Sequence, residues 1–208
     1  GEQAGYPNKF DPNNIGDKDV IYIGATTSRD VPKIMAIASQ GSSLYIYEIS
    51  PEMIQGKKGT ICSGYWELTP ETGLVEGKLP VATSAYFDRM FYYAVGNKIY
   101  RADLTRSTPR SYEIYAHPDP SVRITRLKFR SQREDRWDIS GGDEVEAIPY
   151  DFVSYLGGVA EYPDGNCSML EMKLTAAGEI DKEEGTKDLM VYEFKGFKNV
   201  VDFVYAFK

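Results

Sequence analysis

The sequence predicts an all-β protein: an antiparallel, β-propeller-like domain of three four-stranded units plus one extra strand, forming an open or partial ring. The first observation is a repeated strand. SSLYIYEI (Ser42–Ile49), NKIYRADL (Asn97–Leu104) and CSMLEMKL (Cys167–Leu174) align without gaps. Each has two adjacent apolar residues near its start, a charged residue next to last, and Ile or Leu at its end. The second observation is what precedes each copy: strand-like runs at Ile34–Ala38, Phe91–Val95 and Val153–Glu161, joined to the repeat by turn residues. The third is composition. Sixteen tyrosines alongside few helical patterns favour pleated sheet. The competing architecture is a sandwich of meandering hairpins.

Residues 1–18 are polar and rich in Gly, Pro and Asn, and read as a lead-in or linker. Residues 19–208 read as a single domain. Asp11, Asn13 and Gly16 fit three places of a calcium loop, but Ile15 and Tyr22 stand where ligands belong, so that motif is rejected. The first unit is expected to comprise Val20–Ala25, Ile34–Ala38, Ser42–Ile49 and Ile61–Leu68. Its loop Ser50–Thr60 has room for one helical turn near Pro51–Ile54.

The second unit is compact: Val81–Phe87, Phe91–Val95, Asn97–Leu104 and Ser111–Ala116. Gly96-Asn97 between its middle strands favours a type II′ hairpin, because glycine tolerates positive φ at the first turn position. In its third strand Tyr100, Ala102 and Leu104 share one face, and Ile99, Arg101 and Asp103 the other. Tyr45/Tyr47/Ile49 and Leu170/Met172/Leu174 are the faces expected to match Tyr100/Ala102/Leu104. The unit closes at His117-Pro-Asp-Pro120, where two prolines exclude a helix interior. His117, the only histidine, reads as a connector residue.

The third unit, Val122–Phe129, Val153–Glu161, Cys167–Leu174 and Leu189–Phe194, turns at Pro163–Asn166. It is interrupted twice. The excursion Arg130–Asp151 carries Arg130, Arg133, Arg136, Trp137 and an acidic cluster. A second charged loop, Ala176–Asp188, has no apolar periodicity. Val200–Phe207 looks like the first strand of a further unit. Three units and one strand are too few for an ordinary ring, so the last strand is expected to be paired rather than loose.

A net charge of −7 argues against a nucleic-acid or anionic-membrane binder, both of which need clustered Lys and Arg. No apolar run approaches the roughly 20 residues that span a bilayer. The chain starts at Gly1 without an initiator Met, and is expected to be processed. Two cysteines, Cys62 and Cys167, read as free thiols, with a single disulfide between them as the alternative. No GxSxG, P-loop, GxGxxG, HExxH or CxxC motif is present, and no cofactor is implied. The candidate ligand site is the Arg130–Asp151 excursion, with Trp137 as aromatic platform, Arg136 and Asp138 beside it and Tyr150 at the return to the sheet. Tyr65 and Trp66 are the second candidate platform. The competing view is that these charges pair with one another and Trp137 covers a core edge.

FDPNNIGDKDVIYIG (Phe10–Gly24), IMAIASQGSSLYIYEI (Ile34–Ile49), FYYAVGNKIYRADL (Phe91–Leu104), GGVAEYPDGNCSMLEMKLTAAGEI (Gly157–Ile180) and NVVDFVYAFK (Asn199–Lys208) resemble the PKD-like lipoprotein family of Bacteroidetes. The resemblance spans most of the chain and rests on short hairpin patterns. It implies the C-terminal, propeller-like part of a surface lipoprotein of the outer membrane, associated with SusC/SusD-type glycan uptake; no catalytic residue carries over. The expected function is a non-enzymatic binding or adhesion module that handles glycans. The alternatives are a protein–protein interaction module of an outer-membrane complex, or a carbohydrate-active enzyme.

Overall fold

The computed structural model describes residues 18–26, 33–41, 43–49, 62–68, 81–85, 90–104, 109–134 and 151–206. They form three four-stranded antiparallel meanders. The first contains β1 (Asp19–Thr26), β2 (Lys33–Gln40), β3 (Ser43–Ile49) and β4 (Cys62–Leu68). The second contains β5 (Val81–Ala85), β6 (Met90–Val95), β7 (Lys98–Asp103) and β8 (Ser111–Ala116). The third contains β9 (Arg123–Glu134), β10 (Asp151–Glu161), β11 (Asn166–Leu174) and β12 (Val191–Lys198). Within each sheet the spatial order follows the chain. The first strands of successive sheets are neighbours, β1 beside β5 and β5 beside β9. No helix among the described residues is long and apolar enough to cross a membrane.

The hairpin turns have the chemistry their residues dictate. Val95 pairs with Lys98 around Gly96-Asn97, and Gly96 sits at φ 60°. That is the first central position of a II′ turn, which a Cβ would strain. Gly41 repeats the device at φ 59°, inside the pair Gln40↔Ser43. The third hairpin is longer. The Gly165 N–H donates to the Tyr162 carbonyl, and the Asp164 carboxylate accepts the Asn166 N–H at 2.9 Å. Gly165 at φ 81° completes a turn with a bulge.

The second sheet is sandwiched between the other two. Phe91, Tyr93, Tyr100, Ala102 and Leu104 pack with Ile37, Leu44, Ile46, Trp66 and Leu68 of the first sheet. Tyr92, Ala94 and Ile99 pack with Val122, Ile124, Leu127, Leu156, Leu170, Met172 and Leu174. A sheet covered on both faces has no solvent face to encode, which is why Phe91–Ala94 runs apolar without alternation. Each fully buried large side chain contributes roughly 1.5–3 kcal/mol of transfer free energy. Phe91 and Tyr93 stack at 5.7 Å, and Tyr93 and Tyr100 at 5.2 Å, inside the range where aromatic pairs attract.

The gap-free alignment of the three repeats agrees with this packing. Leu44 and Ile46 face the second sheet from the first; their counterparts Ile99 and Arg101 face the third sheet from the second. Leu170, Met172 and Leu174 face the second sheet as Tyr100, Ala102 and Leu104 face the first.

Three expectations need correction. Val200–Phe207 forms no strand over its described residues, 200–206. The segment instead lies over the face of the third sheet that points away from the second. Its Phe203 and Tyr205 sit against Gly157, and Asp202 pairs with Lys128 at 3.0 Å. The alternation that suggested a strand is real, with Phe203 and Tyr205 turned inward and Val204 80% exposed, but it seats side chains rather than a backbone ladder. The fourth strand of the third sheet is Val191–Lys198, not Leu189–Phe194, because Leu189 bridges back to Lys182. Finally, β9 continues to Glu134, so Arg130 and Arg133 belong to a strand and the excursion shrinks to 135–150, outside the described residues.

Candidate functional site

A cleft of about 540 Å³ opens between the second sheet and the segment linking β11 to β12. That volume lies within the span of small-ligand sites. One wall comes from β7 and β8. Arg101 pairs with Tyr112 across the ladder, and its guanidinium stands 5.8 Å from the Tyr112 ring centroid. Strand alternation puts Arg101 and Asp103 on the face of Ile99, the face toward the third sheet. Arg110, Glu113 and Ile114 complete this wall. Tyr112 is 46% exposed, so its ring is accessible.

The other wall is the segment expected to be a charged loop, Ala176–Asp188. It folds into a two-step hairpin. Leu174 bridges Ile180, and Lys182 bridges Leu189. The Asp181 N–H donates to the Lys173 carbonyl and the Met190 N–H to the Asp181 carbonyl, both at 2.8 Å. Gly178 and Gly185, at φ 75° and 76°, make the two reversals. Glu179, Ile180, Lys182 and Leu189 face the cleft.

The two walls are fastened together. The Tyr92 hydroxyl donates a buried hydrogen bond to the Gly178 carbonyl at 2.8 Å. Arg101 donates from Nη1 to the Ala177 carbonyl, and its Nη2 lies 3.8 Å from Glu179. The cleft therefore has fixed walls and an amphipathic lining: Tyr112, Ile114, Ile180 and Leu189 are apolar, and the remainder is charged. Glu113 is held by Lys98 at 2.6 Å, and the hydrogen bond and charge of Glu113 raise the Lys98 pKa.

A second polar cluster joins the same two sheets. His117 follows β8, as its connector position predicts, but is buried, with 4% exposure. Its Nδ1 accepts the Asp119 N–H at 3.1 Å, which leaves the ring proton on Nε2, 3.6 Å from Glu193 Oε1 on β12. Tyr115 and Tyr162 meet the imidazole edge-on. The Tyr162 hydroxyl donates to Glu193 at 2.7 Å. Burial alone would push the Glu193 carboxyl up, but the hydrogen bond from Tyr162 and the charge of Lys195 hold it below its ordinary value. Burial, aided by Glu193 and Tyr162, pushes the Tyr115 phenol up to about 12. This cluster reads as a structural joint: the His117 N–H and the Asn97 side chain also tie the connector to the β6–β7 turn.

Among the described residues no group of three or more His, Cys, Asp or Glu side chains is placed to hold a metal ion. Cys167 is a free, buried thiol. Comparison with known protein families, with curated proteins and with solved structures finds no match to this chain.

Of the residues chosen from the sequence, Trp137, Arg136, Asp138 and Tyr150 lie outside the described residues. Tyr65 is in β4, opposite Tyr47, with its side chain outside the description. Trp66 is corrected: at 8% exposure it packs into the core between the first and second sheets and offers no free ring face. Sequence reasoning missed the cleft because its walls come from different units. The available signals were Arg101 and Asp103 on one strand face and two turn glycines in AAGEIDKEEGTKD.

Proposed function

We propose that this chain is a non-enzymatic binding module displayed on a cell surface, with a glycan as ligand. The observation that carries the proposal is the cleft in which the half-exposed Tyr112 ring stands among fixed charged groups. A pyranose stacks its C–H face on such a ring, while guanidinium and carboxylate groups bond its hydroxyls. The cleft carboxylates Glu113 and Glu179 are each paired with a cation, at 2.6 Å and 3.8 Å. The three meanders, with their first strands side by side, fit consecutive blades of a propeller-like domain. The resemblance to PKD-like lipoproteins supports an outer-membrane setting beside glycan-uptake machinery.

One observation favours a second role, as an interaction module. The edge strand β12 exposes Tyr192, Phe194 and Phe197, and such apolar surface on an open edge invites a protein partner.

The test is a glycan array, followed by titration of the best oligosaccharide against wild type and Tyr112→Ala. The variant should fold normally and lose about 1–3 kcal/mol of binding, by analogy with other aromatic stacking platforms. Full affinity in Tyr112→Ala would rule out this cleft.

A further inference from the structure

The geometry points to an acidic saccharide, a pyranose bearing a carboxylate, as the ligand of the cleft between the second sheet and the β11–β12 hairpin. This inference rests on the glycan reading of the same site and specifies its chemical class.

The reason is a charge census of the lining. Three carboxylates line the cleft, and none is unengaged. Glu113 is held by Lys98 at 2.6 Å, Glu179 faces Arg101 at 3.8 Å, and Asp103 has a partner of its own. Three cations also line it, and they are not matched in the same way. Arg110 and Lys182 are exposed and form no ion pair among the described residues. Arg101 has its terminal nitrogens engaged by Ala177 and Glu179.

The cleft thus offers surplus donors of one sign. The wider chain, at −7, would repel an anion at long range. Selection for an acid must therefore come from these local cations. The apolar residues decide between a bare anion and a sugar acid. Tyr112, Ile114 and Leu189 line the same space, and an inorganic anion makes no use of them. A uronate does: its ring face lies on Tyr112 while its carboxylate reaches Arg110 and Lys182, in the fork geometry arginine provides for carboxylates.

The experiment uses matched pairs on a glycan array, each uronate-containing oligosaccharide beside its neutral parent hexose, then calorimetric titration of the best pair. Wild type should prefer the acidic member by about tenfold, the yield of two partly exposed charge contacts. The double variant Arg110→Gln/Lys182→Gln changes only exposed side chains. It should retain the circular dichroism of wild type and lose most of the preference for the acidic member, whatever it loses in affinity for the neutral one. Equal binding of both members by wild type would overturn the acidic assignment and leave the glycan reading standing. Preference undiminished in the double variant would overturn it likewise. An array on which no oligosaccharide binds would remove both.

Discussion

The Tyr92 hydroxyl donates a buried hydrogen bond to the carbonyl of Gly178, a residue 86 positions away. The bond fastens the β11–β12 hairpin to the second sheet and so sets the width of the cleft. A Cβ on Gly178 would stand 2.7 Å from the same hydroxyl, and the backbone there is at φ 75°. Tyr92→Phe should lower stability by about 1–2 kcal/mol, because the carbonyl stays buried without its donor. Gly178→Ala should cost a similar ~1–2 kcal/mol from the left-handed conformation, with the displaced Tyr92 adding to it. Urea denaturation of the two variants is the check, and unchanged midpoints would show that the hairpin is held by other contacts.

The C-terminal segment should act as a strap. A Cβ on Gly157 would lie 2.9 Å from Tyr205 Cζ and 3.0 Å from Phe203 Cε2, so only glycine admits both rings. Arg130 stacks 4.8 Å from the Tyr205 ring centroid and 4.6 Å from that of Tyr155. Removing residues 199–208 should lower the melting temperature by several degrees, as losing a few kcal/mol of packing does in a domain of this size. Gly157→Ala should reproduce part of the loss. A truncated protein that melts like wild type would refute the strap.

Alkaline pH should weaken the fold through two phenols. Burial first, then the charge of Glu171, raises Tyr205 from 10.0 to about 12, against an opposing effect of Arg130. Tyr115 is raised to about 12 as well. An acid whose folded pKa is raised keeps its proton when the unfolded chain has lost it. Its stabilising contribution is therefore complete below about pH 10 and falls as pH rises toward about 12. Melting temperature followed from pH 8 to 12 should show this decline, and the double variant Tyr115→Phe/Tyr205→Phe should flatten it. An equal decline in both proteins would assign the effect elsewhere.

The two tryptophans should behave differently. Trp66→Ala empties a site in the core between the first and second sheets, and should cost about 3–5 kcal/mol. Trp137, in the charged excursion between β9 and β10, is expected from the sequence to be a surface platform, so Trp137→Ala should leave the denaturation midpoint unchanged. Unfolding of the Trp137 variant would mark it as a core residue instead.

Much of the fold was legible because it is written over short spans. Gly96-Asn97 and Pro163–Asn166 name their own turns, and the second unit's final strand begins and ends at Ser111 and Ala116 as the residue pattern indicates. A strand's periodicity and a turn's need for positive φ depend on neighbours a few residues apart. Trp66 shows where such local information ends. It sits in a strand beside polar residues, and nothing within that strand says whether its outer face meets solvent or another sheet.

The sequence by itself determined three repeated antiparallel units, the II′ hairpin between Val95 and Lys98, and equivalent faces in the three repeats. Tertiary structure alone decided that Val200–Ala206 straps a sheet rather than extending one, that the charged stretch after Thr175 is a clamped hairpin, and that Arg101 and Tyr112 meet Lys182 and Leu189 across a cleft. The physical reason is the length scale of the forces. Backbone conformation answers to nearby residues, whereas the partner of an exposed-looking side chain is set by which surfaces the packing of whole sheets brings together, and no local pattern carries that information.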